Sequence, residues 1–115
     1  MKKVALFAFN GELLCFVHVM LNALDMQEKG YDVRLVFEGA SVKLIPELAQ
    51  TENMFHKLYL KLKESGVVEG ACKACSHKLE VADAVKAEGI AMIGEMMGHP
   101  AISEYMDQGY EVITF

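Results

Sequence analysis

Lys29-Gly30-Tyr31-Asp32-Val33-Arg34-Leu35-Val36-Phe37 carries the deciding pattern of this chain: a helical stretch ends on a polar residue and a glycine, and a short β-rich run follows at once. The pattern recurs. Ser65-Gly66 precedes Val67 and Val68, Glu88-Gly89 precedes Ile90 to Ile93, and Gln108-Gly109 precedes Tyr110 to Phe115. Glycine is favoured just past a helix end because it enters the left-handed region without a Cβ clash. With the opening run Val4 to Phe9, five strands alternate with helices. Strand runs this short and this continuously apolar suit a sheet covered on both faces. The β/α alternation implies right-handed crossovers. The predicted fold is therefore α/β, a three-layer α/β/α sandwich on a mainly parallel five-stranded sheet, with residues 1–115 forming one domain.

The helices between these runs carry their own information. The first, Leu13 to Lys29, is apolar nearly all round over its first half, through Leu13, Leu14, Phe16, Val17, Val19, Met20 and Leu21. A helix with one wet face has a narrower apolar stripe, so this one is expected to be sandwiched within the monomer or covered by another subunit. The second, Glu52 to Ser65, places Met54, Phe55, Leu58, Tyr59 and Leu62 on one stripe. Between them, Val42 to Gln50 reads as a short helix interrupted near Pro46.

Composition narrows the function. Of 115 residues 53% are hydrophobic and 23% charged, with two prolines, which describes a folded globular chain rather than a disordered one. The net charge of -5 and scattered lysines argue against nucleic acid or an anionic membrane as main partner. Lys57, Lys61 and Lys63 beside Glu64 read as a solvated helix face. The run Val4 to Phe9 lacks a following small-residue cleavage site, and Leu13 to Leu21 is too short to span a bilayer. The expected location is the cytoplasm. There, an odd number of cysteines points to redox chemistry, catalysis or metal rather than a disulfide framework.

In a parallel α/β sheet, ligands bind outside the carboxyl ends of the strands. That geometry predicts convergence of Asn10, Glu12, Glu38, Cys72, Cys75, His77 and His99 on one rim, with Cys15 and His18 near it. Within Cys72-Lys73-Ala74-Cys75-Ser76-His77, a thiol between a strand and a helix start is placed where the helix dipole favours a thiolate. Lys73 and His77 would lower its pKa further. Ser76 is the expected N-cap of one helix through Leu79, Ala82 and Val85. Gly94 to Pro100 reads as a flexible lid bringing in His99, or as a helix start with Pro100 at its first position. Three chemistries fit the cysteine pair: a persulfide-bearing nucleophile with an assisting thiol, a dithiol cycling with a disulfide, or a zinc site joining Cys72 and Cys75 to His99, His77 or Cys15. No glycine-rich phosphate loop is present.

The layout Val4 to Phe9, a long apolar helix, Gly30-Tyr31-Asp32-Val33, Gly66-Val67-Val68, Ala71-Cys72-Lys73-Ala74-Cys75 and the tail Gly109-Tyr110-Glu111-Val112-Ile113-Thr114-Phe115 resembles the DsrE/DsrF-like family. The resemblance implies a small α/β sulfur-relay protein, assembled as a homo-oligomer such as a trimer or hexamer; no cofactor is expected, with zinc as the alternative. Its partners would be sulfur donor and acceptor proteins. It implies sulfane sulfur carried as a persulfide on the cysteine after the third strand, which Cys72 matches best; the rim geometry adds Cys75 as second thiol and Asn10, Glu38, Lys73, His77 and His99 in support.

Overall fold

The computed structural model describes residues 1–115. Its elements run β1 (Lys3–Ala8), α1 (Leu13–Glu28), β2 (Asp32–Phe37), a 3-10 turn (Gly39–Lys43), α2 (Leu44–Leu48), α3 (His56–Glu64), β3 (Val68–Cys72), α4 (Lys73–Lys78), α5 (Ala82–Ala87), β4 (Met92–Ile93), α6 (Ile102–Asp107) and β5 (Glu111–Thr114). The five strands form one sheet in the order β4-β3-β2-β1-β5, and every pairing is parallel. β1 lies inside the sheet between β2 and β5 and is buried from Val4 to Ala8, as its unbroken apolar run requires.

The direction of travel across the sheet decides where the helices go. The steps β1 to β2, β2 to β3 and β3 to β4 all move the same way, so right-handed crossovers place their helices on one face. That face holds the main core. Val4, Leu6, Val33, Leu35 and Phe37 of the sheet pack against Phe16, Val19 and Met20 of α1, Ile45 and Leu48 of α2, Tyr59 and Leu62 of α3 and Val85 of α5. The return from β4 to β5 reverses direction and puts α6 on the other face. There only Ala5, Phe7, Val36, Tyr105 and Tyr110 form a buried cluster. The third layer of the sandwich is thus one six-residue helix. Strand side chains beside it are charged: Arg34 of β2 pairs with Glu69 of β3 at 3.0 Å and with Asp32 at 3.2 Å.

Several local expectations need correction. The third strand continues through Cys72 and α4 starts at Lys73, so strand and helix meet with no loop between them. Helix formation from 73 to 85 is interrupted at Glu80, which takes a positive φ of 61°, so α4 and α5 are separate. The second long helix starts at His56 rather than Glu52, leaving Met54 83% exposed instead of on the buried stripe. α1 buries Phe16, Val19, Met20 and Ala23, while Leu14 and Leu21 remain exposed on this single chain. No helix is long and apolar enough to cross a membrane.

Glycine at position 70 sets the approach of β4. A Cβ there would lie 2.6 Å from the Ala91 carbonyl oxygen and 2.7 Å from Ile93 Cδ1. Only a residue without a side chain lets β4 pair this closely with β3, in the register Ala71 to Met92 and Cys72 to Ile93. This pairing brings the segment after β4 alongside the end of β3.

Candidate thiol site at the carboxyl edge of the sheet

The chains leaving β3 and β4 depart to opposite faces, α4 toward the main core and α6 toward the thin layer. Such a divergence opens a crevice at the carboxyl ends of neighbouring strands. Cys72 is the last residue of β3 and also the N-cap of α4, its Sγ accepting a hydrogen bond from the Cys75 N–H at 3.3 Å. Ser76, expected as the cap, lies inside α4 and is buried, its hydroxyl donating to the Cys72 carbonyl at 2.7 Å. The two cysteines therefore sit on opposite ends of the first helical turn, with a backbone hydrogen bond fixing their offset.

His99 reaches them from the segment after β4. Met96 and His99 exchange paired backbone hydrogen bonds of 2.9 Å, closing a tight turn over Met97 and Gly98. Gly98 has a φ of 93°, and its carbonyl accepts the Ala74 N–H at 2.7 Å, so the turn is bonded to the first turn of α4. His99 enters the site from this segment, whereas Pro100 is not the first helical position: the helix begins two residues later, at Ile102. Glu38 arrives from the end of β2. Its N–H donates to the Ala8 carbonyl at 2.8 Å, and the Ser41 hydroxyl donates to the Ala8 and Glu38 carbonyls at 2.6 and 2.8 Å.

One donor atom from each of Glu38, Cys72, Cys75 and His99 lies within 4.8 Å of the others. His99 Nδ1 is 3.2 Å from Cys72 Sγ and 4.0 Å from Cys75 Sγ, and the Cys75 thiol points at Glu38 Oε1 at 3.6 Å. Glu38 and Cys72 are buried; Cys75 and His99 are half-buried. Beside the cluster a cleft of about 610 Å³ is lined by Cys75, His99 and Glu38 together with Phe9, Met96 and Ile102. Cys75 opens on this cleft; Cys72 is not among its walls.

The electrostatics of Cys72 reverse the expectation drawn from its position. Burial, with further contributions from the neighbouring Cys75 thiol and the Glu38 carboxyl, pushes the Cys72 thiol up to about 12, against the opposing backbone hydrogen bond from Cys75. The positive groups that were to lower it are elsewhere. Lys73 is exposed, and His77 is exposed on α4 beside a separate hollow with Glu80 and Asp83. Asn10 is also exposed, its Oδ1 accepting the Glu12 N–H at 2.8 Å in the turn after β1. Cys15 and His18 lie on the exposed side of α1. None of these residues belongs to the four-donor cluster. Conversely, Phe9 and Ile102 line the cleft without having given any sequence signal, because isolated apolar residues at element ends look alike wherever they point.

Fold and site together define a small parallel α/β protein with paired thiols at the carboxyl edge of its sheet. The sequence matches the DsrE/DsrF-like family over residues 5–115, and the chain belongs to that family. Among curated proteins, it is 28% identical over 97 residues to an uncharacterised protein of Methanocaldococcus jannaschii, spanning 84% of this chain and 77% of that one. A shorter match, 40% identical over 38 residues, links 33% of this chain to 62% of an uncharacterised protein of Archaeoglobus fulgidus. Among solved structures, a conserved protein of unknown function from Bacteroides thetaiotaomicron superposes with a TM-score of 0.76 at 20% identity. The superposition covers 99% of this chain and 95% of that one, and the likeness is one of fold.

Proposed function

We propose that this protein is a cytoplasmic sulfur carrier that holds sulfane sulfur as a persulfide on the Cys72/Cys75 pair and exchanges it with donor and acceptor proteins. The observation that carries the reading is a thiol, Cys75, opening on a cleft with a carboxylate 3.6 Å away and a second thiol in the same cluster. Family membership supports it. The roles within the pair are assigned from exposure: Cys75 is the sulfur-accepting group, and Cys72, fully buried and with a raised pKa, is the inner partner. This exchanges the roles that the sequence pattern suggested.

In the transfer step Cys75 loses its proton to Glu38 and its sulfur attacks the terminal sulfur of a donor persulfide. The new S–S bond forms as the donor's S–S bond breaks. The donor leaves as a thiolate and is reprotonated, so a thiol and a persulfide exchange one sulfur atom with no external oxidant or reductant. Delivery to an acceptor thiol is the same step in reverse.

The test is intact-protein mass spectrometry of reduced, metal-free protein after incubation with a small-molecule persulfide. A reducible gain of one sulfur atom is expected in wild type and in Cys15→Ser, and is expected to be lost in Cys75→Ser. Absence of the gain in folded wild type would overturn the carrier reading. A gain that persists in Cys75→Ser and disappears in Cys72→Ser would overturn the assignment within the pair.

A further inference from the structure

We infer that Glu38, Cys72, Cys75 and His99 form a four-ligand site for a thiophilic divalent cation of the zinc type, with one carboxylate oxygen, two sulfurs and the His99 Nδ1 as ligands. The argument begins with Glu38. Its carboxyl is buried, with 7% of the residue exposed, and no lysine, arginine or histidine forms an ion pair with it. Its one side-chain partner is the Cys75 thiol at 3.6 Å. Charged carboxylates are buried with a cation or strong hydrogen-bond donors, and a thiol is a weak donor. A metal ion among these four groups supplies the missing positive charge.

Spacing gives the second argument. Ordinary zinc bond lengths, about 2.3 Å to sulfur and about 2.0–2.2 Å to nitrogen or oxygen, make the edges of a tetrahedron about 3.3–3.8 Å. The measured separations of 3.2, 3.6 and 4.0 Å bracket those edges. No pair of donor atoms is more than 4.8 Å apart, so closure needs side-chain adjustment of about 1 Å and no movement of the strands. The ligands come from three chain segments, after β2, at the end of β3 and after β4. Each is held by a hydrogen bond to a backbone group: the Ser41 hydroxyl donates to the Ala8 carbonyl, the Cys75 N–H to Cys72 Sγ, and the Ala74 N–H to the Gly98 carbonyl.

Donor type sets the metal. Two sulfurs and an imidazole select zinc-like ions over calcium or magnesium, which take oxygen ligands. Binding is the exchange of two thiol protons for one divalent cation, with the protons released to solvent and no change of oxidation state. With both sulfurs engaged as ligands, the loaded site would be unable to accept sulfane sulfur. That last consequence rests on the sulfur-carrier reading; the metal site does not.

The experiment is an anaerobic titration of the full, reduced chain with Co²⁺, followed by displacement with Zn²⁺, with circular dichroism checking the fold of every variant. One equivalent of Co²⁺ is expected to give tetrahedral d–d bands and thiolate charge-transfer absorption, both abolished by Zn²⁺. Cys15→Ser should leave the spectrum unchanged, and Cys75→Ser should lose charge-transfer intensity. Glu38→Gln should keep the sulfur bands but weaken binding by at least the about 10–100-fold typical of outer-shell changes. Folded wild type without these bands, or a Cys75→Ser spectrum equal to wild type, overturns the site. Sulfur uptake is then measured on metal-free and zinc-loaded protein. Uptake by the first and not the second is expected; equal uptake by both overturns ligation through both thiols. No uptake by either, with cobalt bands intact, refutes the carrier reading alone.

Discussion

Replacing Gly70 with alanine tests whether close approach of β4 to β3 is what assembles the site. The added Cβ would meet the Ala91 carbonyl oxygen at 2.6 Å, about 0.8 Å short of the 3.4 Å where ordinary contact begins. The oxygen has nowhere to retreat without loss, because it accepts the Ala71 N–H at 2.8 Å. Overpacking of this kind costs about 1–3 kcal/mol, and weakening the ladder bond about 1 kcal/mol more. For a chain of this size a total of about 2–4 kcal/mol lowers Tm by about 8–16 °C. The comparison is Gly30→Ala, where nothing lies within 4 Å of the new Cβ and only the positive φ of 90° is strained. That strain costs about 1–2 kcal/mol. Thermal unfolding followed by circular dichroism should rank Gly70→Ala well below Gly30→Ala, and the Ala71 amide should exchange faster in the former. A Gly70→Ala protein as stable as Gly30→Ala, with Ala71 still protected, would refute the reasoning.

Three further outcomes follow from the same structure. Timed alkylation of the folded protein, read by peptide mass spectrometry, should modify exposed Cys15 first, half-buried Cys75 next and buried Cys72 only on unfolding. The Tyr110 hydroxyl, 2.7 Å away, holds the Asp32 carboxyl below its usual range against the opposing effect of burial, with Arg34 assisting. This stabilises the folded state above the unfolded carboxyl value near pH 4 and is lost as pH falls through the lower folded value, because the unfolded chain then binds more protons. Urea unfolding between about pH 4 and pH 2 should therefore fall less steeply for Tyr110→Phe than for wild type. Tyr59, fully buried, donates to Glu88 at 2.6 Å and ties α3 to the end of α5. Tyr59→Phe should cost about 1–2 kcal/mol in chemical denaturation, with no change in cobalt absorption.

The sequence alone determined the alternation of strand and helix, because glycine after each helix and the apolar run behind it are local signals that need no partner. It also determined which loops share a rim, since in a parallel sheet every strand ends on the same edge. Glu38, Cys72, Cys75 and His99 were legible as candidates for that reason. What only the tertiary structure decided is which rim residues meet. Asn10 and His77 satisfy the same rule as His99, yet Asn10 turns back onto its own loop and His77 points to solvent from the far side of α4. The difference lies in long-range contacts: Gly70 admits β4, and Gly98 bonds the His99 turn to Ala74. The charge state of Cys72 was likewise beyond local reading. A helix N-terminus favours a thiolate wherever it occurs, but burial beneath neighbouring segments, with Cys75 and Glu38 beside it, is a property of the packed molecule and outweighs it.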